Sequence, residues 1–114
     1  MKIINLTPHN IDLYKDGKKI RVFESSGSWR LKEIESNLGE LDGVPFVKVW
    51  YLNGEVPQYQ EGVYYIVSNV IQWAYPDRRD LLIPLDLVRD FEGNIIGCCS
   101  LGYADFANKE VGYE

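Results

Sequence analysis

The stretch IDLYKDGKKIRVF, residues 11–23, decides the fold. Two short runs of alternating side chains flank Asp16-Gly17, and Asp-Gly suits a two-residue hairpin turn because both central residues must take positive φ. The stretch therefore predicts two antiparallel strands. The pair recurs in ELDGVPFVKVWYL (40–52), where Asp42-Gly43 precedes Val44, Phe46 and either Val47 or Val49. The residues before it, WRLKEIESNLGEL (29–41), place Leu31, Ile34 and Leu38 at a spacing that also permits a helix. The turn that follows favours a strand, with 44–52 as its hairpin partner.

Working outward, KIINL (2–6) alternates like a strand, and TPHN (7–10) turns the chain back early. NGEVPQYQEG (53–62) is dense in turn formers and belongs on the surface. VYYIV (63–67) reads as a strand. Ser68 then offers an N-cap to a short helix, NVIQWAY, which Pro76 ends by disfavouring helical geometry at Tyr75. LLIPLDLVRD (81–90) and IIGCCSL (95–101) are further strands joined by FEGN, and Pro84 marks the first as bent, split or at an edge. The expectation is a mainly β chain, a small β-barrel or β-sandwich with one short α-helix. One domain spans 1–114, since a chain of this length buries one ordinary core and not two. Residues from about 102 to 114 form a tail that packs on the body or on a neighbouring subunit.

Charge narrows the partners. The formal net charge is −5, which opposes non-specific binding to a nucleic-acid polymer. The charge is also uneven: residues 15–32 hold six Lys or Arg against two acids, and residues 33–62 hold six acids against one Lys. The plainer account of the basic segment is a solvated rim that keeps an edge strand from pairing with other chains. No signal core or membrane span is evident, and a cytosolic setting is expected. Cys98 and Cys99 are adjacent, and His9 is the only histidine, a poor basis for a disulfide or a zinc site. No metal and no cofactor are expected.

Three places could carry a ligand. In YYIVSNVIQWAYPDRRDLLIP (64–84), Ser68 and Asn69 stand at a helix start where free amides attract anions. Arg78 and Arg79 could clamp a phosphate, Asp80 could orient an arginine, and Tyr64, Tyr65, Trp73 and Tyr75 offer faces for a base. Against this stands the ordinary account of a capping serine, core aromatics and exposed ion pairs. NLTPHN (5–10) brings Asn5, Thr7 and His9 to the end of the first strand. In VRDFEGNIIGC (88–98), the turn accounts for Gly93, and Arg89 has no structural duty legible in the sequence. Catalysis finds little support: a Cys98 or Cys99 nucleophile with His9 as base would sit in an apolar strand that quenches the thiol. Phosphate-cradling loops and nucleophile elbows are absent from the sequence.

NLTPH (5–9), YYIVS (64–68) and RRDLLIPLDLVRDFEGNIIGC (78–98) together resemble a family of short proteins from bacteriophages and prophage-bearing bacteria. The likeness covers most of the chain but leaves out the basic hairpin, the acidic middle and the tail. Small phage proteins of this kind look like the anti-defence sponges that bind cyclic nucleotide signals of CBASS or Thoeris immunity and hold them uncleaved. The resemblance implies a non-enzymatic binder of a cyclic oligonucleotide or an ADP-ribose-type signal. Thr7, His9, Tyr64, Ser68, Asn69, Trp73, Tyr75, Arg78, Arg79, Asp80 and Arg89 are the candidate ligand contacts from the residue reading. A domain this small rarely encloses such a ligand alone, so a homo-oligomer is expected. The rival classes are a virion-associated or protein-interaction module and a phosphodiesterase acting on such a signal.

Overall fold

Both Asp-Gly pairs turn the chain as the sequence predicts. Asp16 and Gly17 have φ of 53° and 77°, and Asp42 and Gly43 have φ of 52° and 78°, the left-handed values that a tight hairpin turn requires. The computed structural model describes residues 1–27, 32–52 and 57–105. Among them lie eight strands and one helix: β1 (Lys2–Asn5), β2 (Ile11–Lys15), β3 (Lys18–Phe23), β4 (Lys32–Leu41), β5 (Val44–Leu52), β6 (Val63–Ile66), α1 (Asn69–Ala74), β7 (Leu81–Arg89) and β8 (Ile95–Gly102). The chain is mainly β with one short helix, as expected.

Six strands form one sheet in the order β1-β6-β7-β8-β2-β3, while β4 and β5 pair only with each other. The large sheet curls. Its two edge strands, β1 and β3, meet at one end through an isolated parallel bridge between Asn5 and Ser25, with the Ser26 amide donating to the Asn5 carbonyl at 2.8 Å. The result is a half-closed barrel. The early turn after β1 does not return the chain beside β1, because β2 pairs with β3 and β8 instead. Three pairings are parallel, β1 with β6, β6 with β7 and β2 with β8. Parallel neighbours need a crossover, and α1 supplies the one between β6 and β7.

Alternation along β6 turns Tyr65 into the core. There it joins Val67, Ile71 from α1, and Leu81 and Ile83 from β7, with Ile4, Leu6 and Tyr75 packed around them. Burying an aliphatic chain such as Ile71 or Leu81 contributes about 2 kcal/mol, so this cluster anchors the helix on the sheet. Pro84 sits just past Leu82, the last β7 residue paired with β6, and β8 runs alongside from Ile83 onward. A proline fits where a ladder changes hands because a missing N–H costs least there. The strand stays continuous.

One local expectation needs correction. Ser68 occupies the N-cap with extended backbone, but its side chain makes no capping bond. The tail begins on its own body: Gln72, fully buried, donates from Nε2 to the Ala104 carbonyl at 3.2 Å and accepts the Ala104 amide at 3.1 Å. Residues 106–114 lie outside the described residues. No described helix is long and apolar enough to cross a membrane.

Candidate functional site

Asn5 closes the barrel. Its side chain, 1% exposed, donates from Nδ2 to the carbonyls of His9 and Phe23, both at 2.8 Å. Its Oδ1 accepts the Thr7 amide at 2.9 Å and the Thr7 hydroxyl at 2.6 Å. An amide is the one uncharged side chain with two donors and a carbonyl on a single plane, which is what a strand end needs to tie two neighbouring segments at once. The Ser25 hydroxyl adds a bond to the Thr7 carbonyl. Asn5 and Thr7 are therefore engaged in shaping the NLTPHN turn, and the turn presents His9 outward, exposed.

The presented side is a groove of about 290 Å³. His9, Asn10 and Asp12 supply its polar atoms, while Ile11, Pro84, Leu87, Ile95 and Ile96 make its floor and walls. Gly97 also lines it, for a steric reason: a Cβ there would lie 2.5 Å from the Asp12 carbonyl and 2.6 Å from the Tyr14 ring. Only glycine lets β8 come this close to β2. Two cations neighbour lining residues without lining the groove themselves. Lys19 Nζ is 3.7 Å from Asp12. Arg89 is directly opposite Ile95 in register, so the two side chains are neighbours on one face, with Arg89 Nη1 donating to the Gly93 carbonyl at 2.8 Å. The groove thus offers apolar surface inside and hydrogen-bonding groups at its mouth, with positive groups beside it.

Arg78, Arg79 and Asp80 lie at the opposite end of β7 from Arg89, roughly 25 Å away at 3.3 Å per residue. Arg78 grips Asp80 with two bonds, Nε to Oδ1 at 2.8 Å and Nη2 to Oδ2 at 2.7 Å, and Nη2 also reaches the Pro57 carbonyl at 2.7 Å. Asp80 is 1% exposed. The bidentate contact to Asp80 raises the Arg78 pKa, with burial acting the other way, so the guanidinium stays charged and occupied. Arg79 donates to the Pro76 carbonyl at 3.1 Å, approaches Asp105 at 3.7 Å and stacks 4.4 Å from the centre of the Tyr103 ring. It holds the start of the tail. Tyr75 packs on the core cluster, Trp73 is half exposed, and Tyr64 is half-buried on β6 opposite Ile3. Ser68 and Asn69 are exposed at the start of a six-residue helix.

Of the eleven predicted residues only His9 lines the groove; Arg89 lies beside Ile95 and spends a donor on its own turn. Sequence reasoning missed Asn10, Ile11, Asp12, Leu87, Ile95 and Ile96 as groove residues. One signal was present: Gly97 interrupts an otherwise apolar strand, and a glycine there marks a close backbone approach. Cys98 is fully buried and Cys99 exposed, and burial pushes the Cys98 thiol up. Among the described residues, no group of three or more His, Cys, Asp or Glu side chains could hold a metal ion. In comparisons with protein-family models, curated proteins and solved structures, nothing matches the chain.

Proposed function

We propose that this chain is a phage-type sequestering protein that binds a cyclic oligonucleotide or ADP-ribose-type signal in the β2–β8 groove and leaves it uncleaved. One observation carries the reading. NLTPH and LDLVRDFEGNIIGC, two segments of the resemblance more than seventy residues apart, meet at one groove, where His9 faces Leu87, Ile95 and Ile96. A nucleobase is flat and mostly apolar on its faces, which suits the Ile11, Pro84 and Leu87 surface, and its edges seek partners such as the Asn10 Nδ2 donor and the Asp12 carboxylate, the Asn10 Oδ1 already accepting the Ser25 amide at 2.9 Å. The phosphates would lie outward, toward His9, Arg89 and Lys19. The Asp12 carboxylate opposes them, so its pairing with Lys19 matters: the lysine cancels that charge at the mouth. A groove of this size takes a nucleoside-sized part of the ligand, and the remainder needs a second surface, in keeping with a homo-oligomer.

Calorimetry against a panel of cyclic di- and trinucleotides and ADP-ribose derivatives tests the reading. A micromolar or tighter ligand is expected, weakened at least tenfold by Leu87→Trp, which fills the groove, and by His9→Ala. Denaturing the complex should return the ligand intact, whereas a phosphodiesterase would return products. Lack of binding to every member of the panel removes the proposal. A protein-interaction module is the second reading. The β4–β5 hairpin favours it, with Phe46, Trp50, Val44 and Leu41 all exposed.

A further inference from the structure

The β4–β5 hairpin is long, isolated and two-faced. Its ladder runs from Lys32 opposite Leu52 to Leu41 opposite Val44, with a bulge between Asn37 and Gly39. Directly opposed residues share a face, and the register sorts them. Ile34 with Trp50, Gly39 with Phe46 and Leu41 with Val44 fall on one face. Glu33, Glu35 with Val49, and Glu40 fall on the other. The first face is largely apolar and exposed, with Trp50 39%, Phe46 44% and Val44 62% exposed; Ser36 and Lys48 interrupt it, and Lys48 Nζ lies 5.8 Å from the centre of the Trp50 ring. A two-stranded ribbon by itself is marginal in water, so this one gains from a third strand along one of its edges.

The charges say which strand suits that edge. Strand β4 carries Glu33, Glu35 and Glu40, and among the described strands it pairs with β5 alone. Strand β3 is the terminal strand of the curled sheet and carries Lys18, Lys19, 3.7 Å from Asp12, and Arg21, stacked 4.4 Å from the centre of the Phe23 ring, and it exposes Ile20 and Val22. Among the described residues each therefore presents an unpaired backbone edge, one acidic and one basic, each with apolar side chains beside the charges. Strand addition at such an edge joins main-chain hydrogen bonds to side-chain complementarity.

We infer that the acidic β4–β5 arm of one copy docks along the basic β3 edge of a second copy, and that the exchange is reciprocal. A two-fold dimer makes the contact twice, arm to edge and edge to arm. Like charge discourages the alternatives, since two β4 edges would bring glutamates together and two β3 edges would bring lysines together. The dimer needs no ligand, so this inference does not rest on the nucleotide reading, and the experiment for one leaves the other standing.

A charge-swap measured by analytical ultracentrifugation without nucleotide tests it. The wild-type chain should sediment as a dimer at micromolar concentration and dissociate as salt is raised. Glu33→Lys/Glu35→Lys/Glu40→Lys should be monomeric, because arm and edge are then both basic, and Lys18→Glu/Lys19→Glu/Arg21→Glu should be monomeric because both are acidic. Mixing the two variants should restore a dimer, since each arm again meets an opposite edge. Circular dichroism of each variant checks that the swaps leave the fold intact, and the mixture provides the answer even if one variant is weakened. A monomeric wild type overturns the inference, and so does a pair of variants that dimerise as well as the wild type or fail to form the mixed dimer.

Discussion

Replacing Asn5 tests the account of how the barrel closes and the groove is shaped. Asn5→Ala removes two bonds from Nδ2, to the His9 and Phe23 carbonyls, and two to Oδ1, from the Thr7 amide and hydroxyl. A protein hydrogen bond contributes about 1 kcal/mol net, and a buried group left without its partner costs about 1–3 kcal/mol. The bond to Phe23 is buried, while those to His9 and Thr7 are partly wet, so water replaces some of the loss. The expected penalty is about 3 kcal/mol, or a fall in Tm of roughly 12 °C for a chain of this size. Asn5→Asp is expected to be worse than alanine, because a carboxylate would aim an acceptor at two carbonyls where Nδ2 now donates. Urea titration followed by far-UV circular dichroism measures both. A loss below about 1 kcal/mol for alanine, or an aspartate variant as stable as wild type at neutral pH, would refute the clasp.

The remaining predictions concern charge, packing and thiols. Asp80→Ala leaves the partly buried Arg78 without its carboxylate and should cost about 3–5 kcal/mol, read by the same titration; a neutral result would mean that the pair is dispensable. Gly97→Ala drives a methyl into the Asp12 carbonyl and the Tyr14 ring, and should destabilise by about 1–3 kcal/mol while displacing β2 from β8; unchanged stability would contradict the tight approach. In the folded protein iodoacetamide should label Cys99 and spare Cys98, giving one adduct by mass spectrometry and two after denaturation. Since burial raises the Cys98 pKa, the folded state favours the neutral thiol. Its contribution is complete below the unfolded value and is lost as pH climbs through the folded one, so stability should decline at alkaline pH, and less so in Cys98→Ala.

What the residues alone determined is local. Asp16-Gly17 and Asp42-Gly43 dictated two hairpins because an Asp-Gly pair takes positive φ cheaply, and Pro76 ended α1 because the residue before a proline resists helical geometry. These are properties of a few adjacent bonds, and they sufficed to name a mainly β chain with one short helix. Tertiary structure decided everything that depends on which distant segments meet. The parallel pairings of β1 with β6 and β2 with β8 have no neighbouring turn to announce them. Arg78 looked available for a phosphate until the buried Asp80 carboxylate two residues on claimed it. Asn5 and His9, four residues apart in one polar turn, took opposite duties, one facing inward to tie Phe23 and the other facing a groove whose apolar wall arrives from β7 and β8. Sequence records which groups a side chain carries. Whether those groups are spent on the fold or left for a ligand is fixed only when the chain closes and supplies, or withholds, a partner within hydrogen-bond reach.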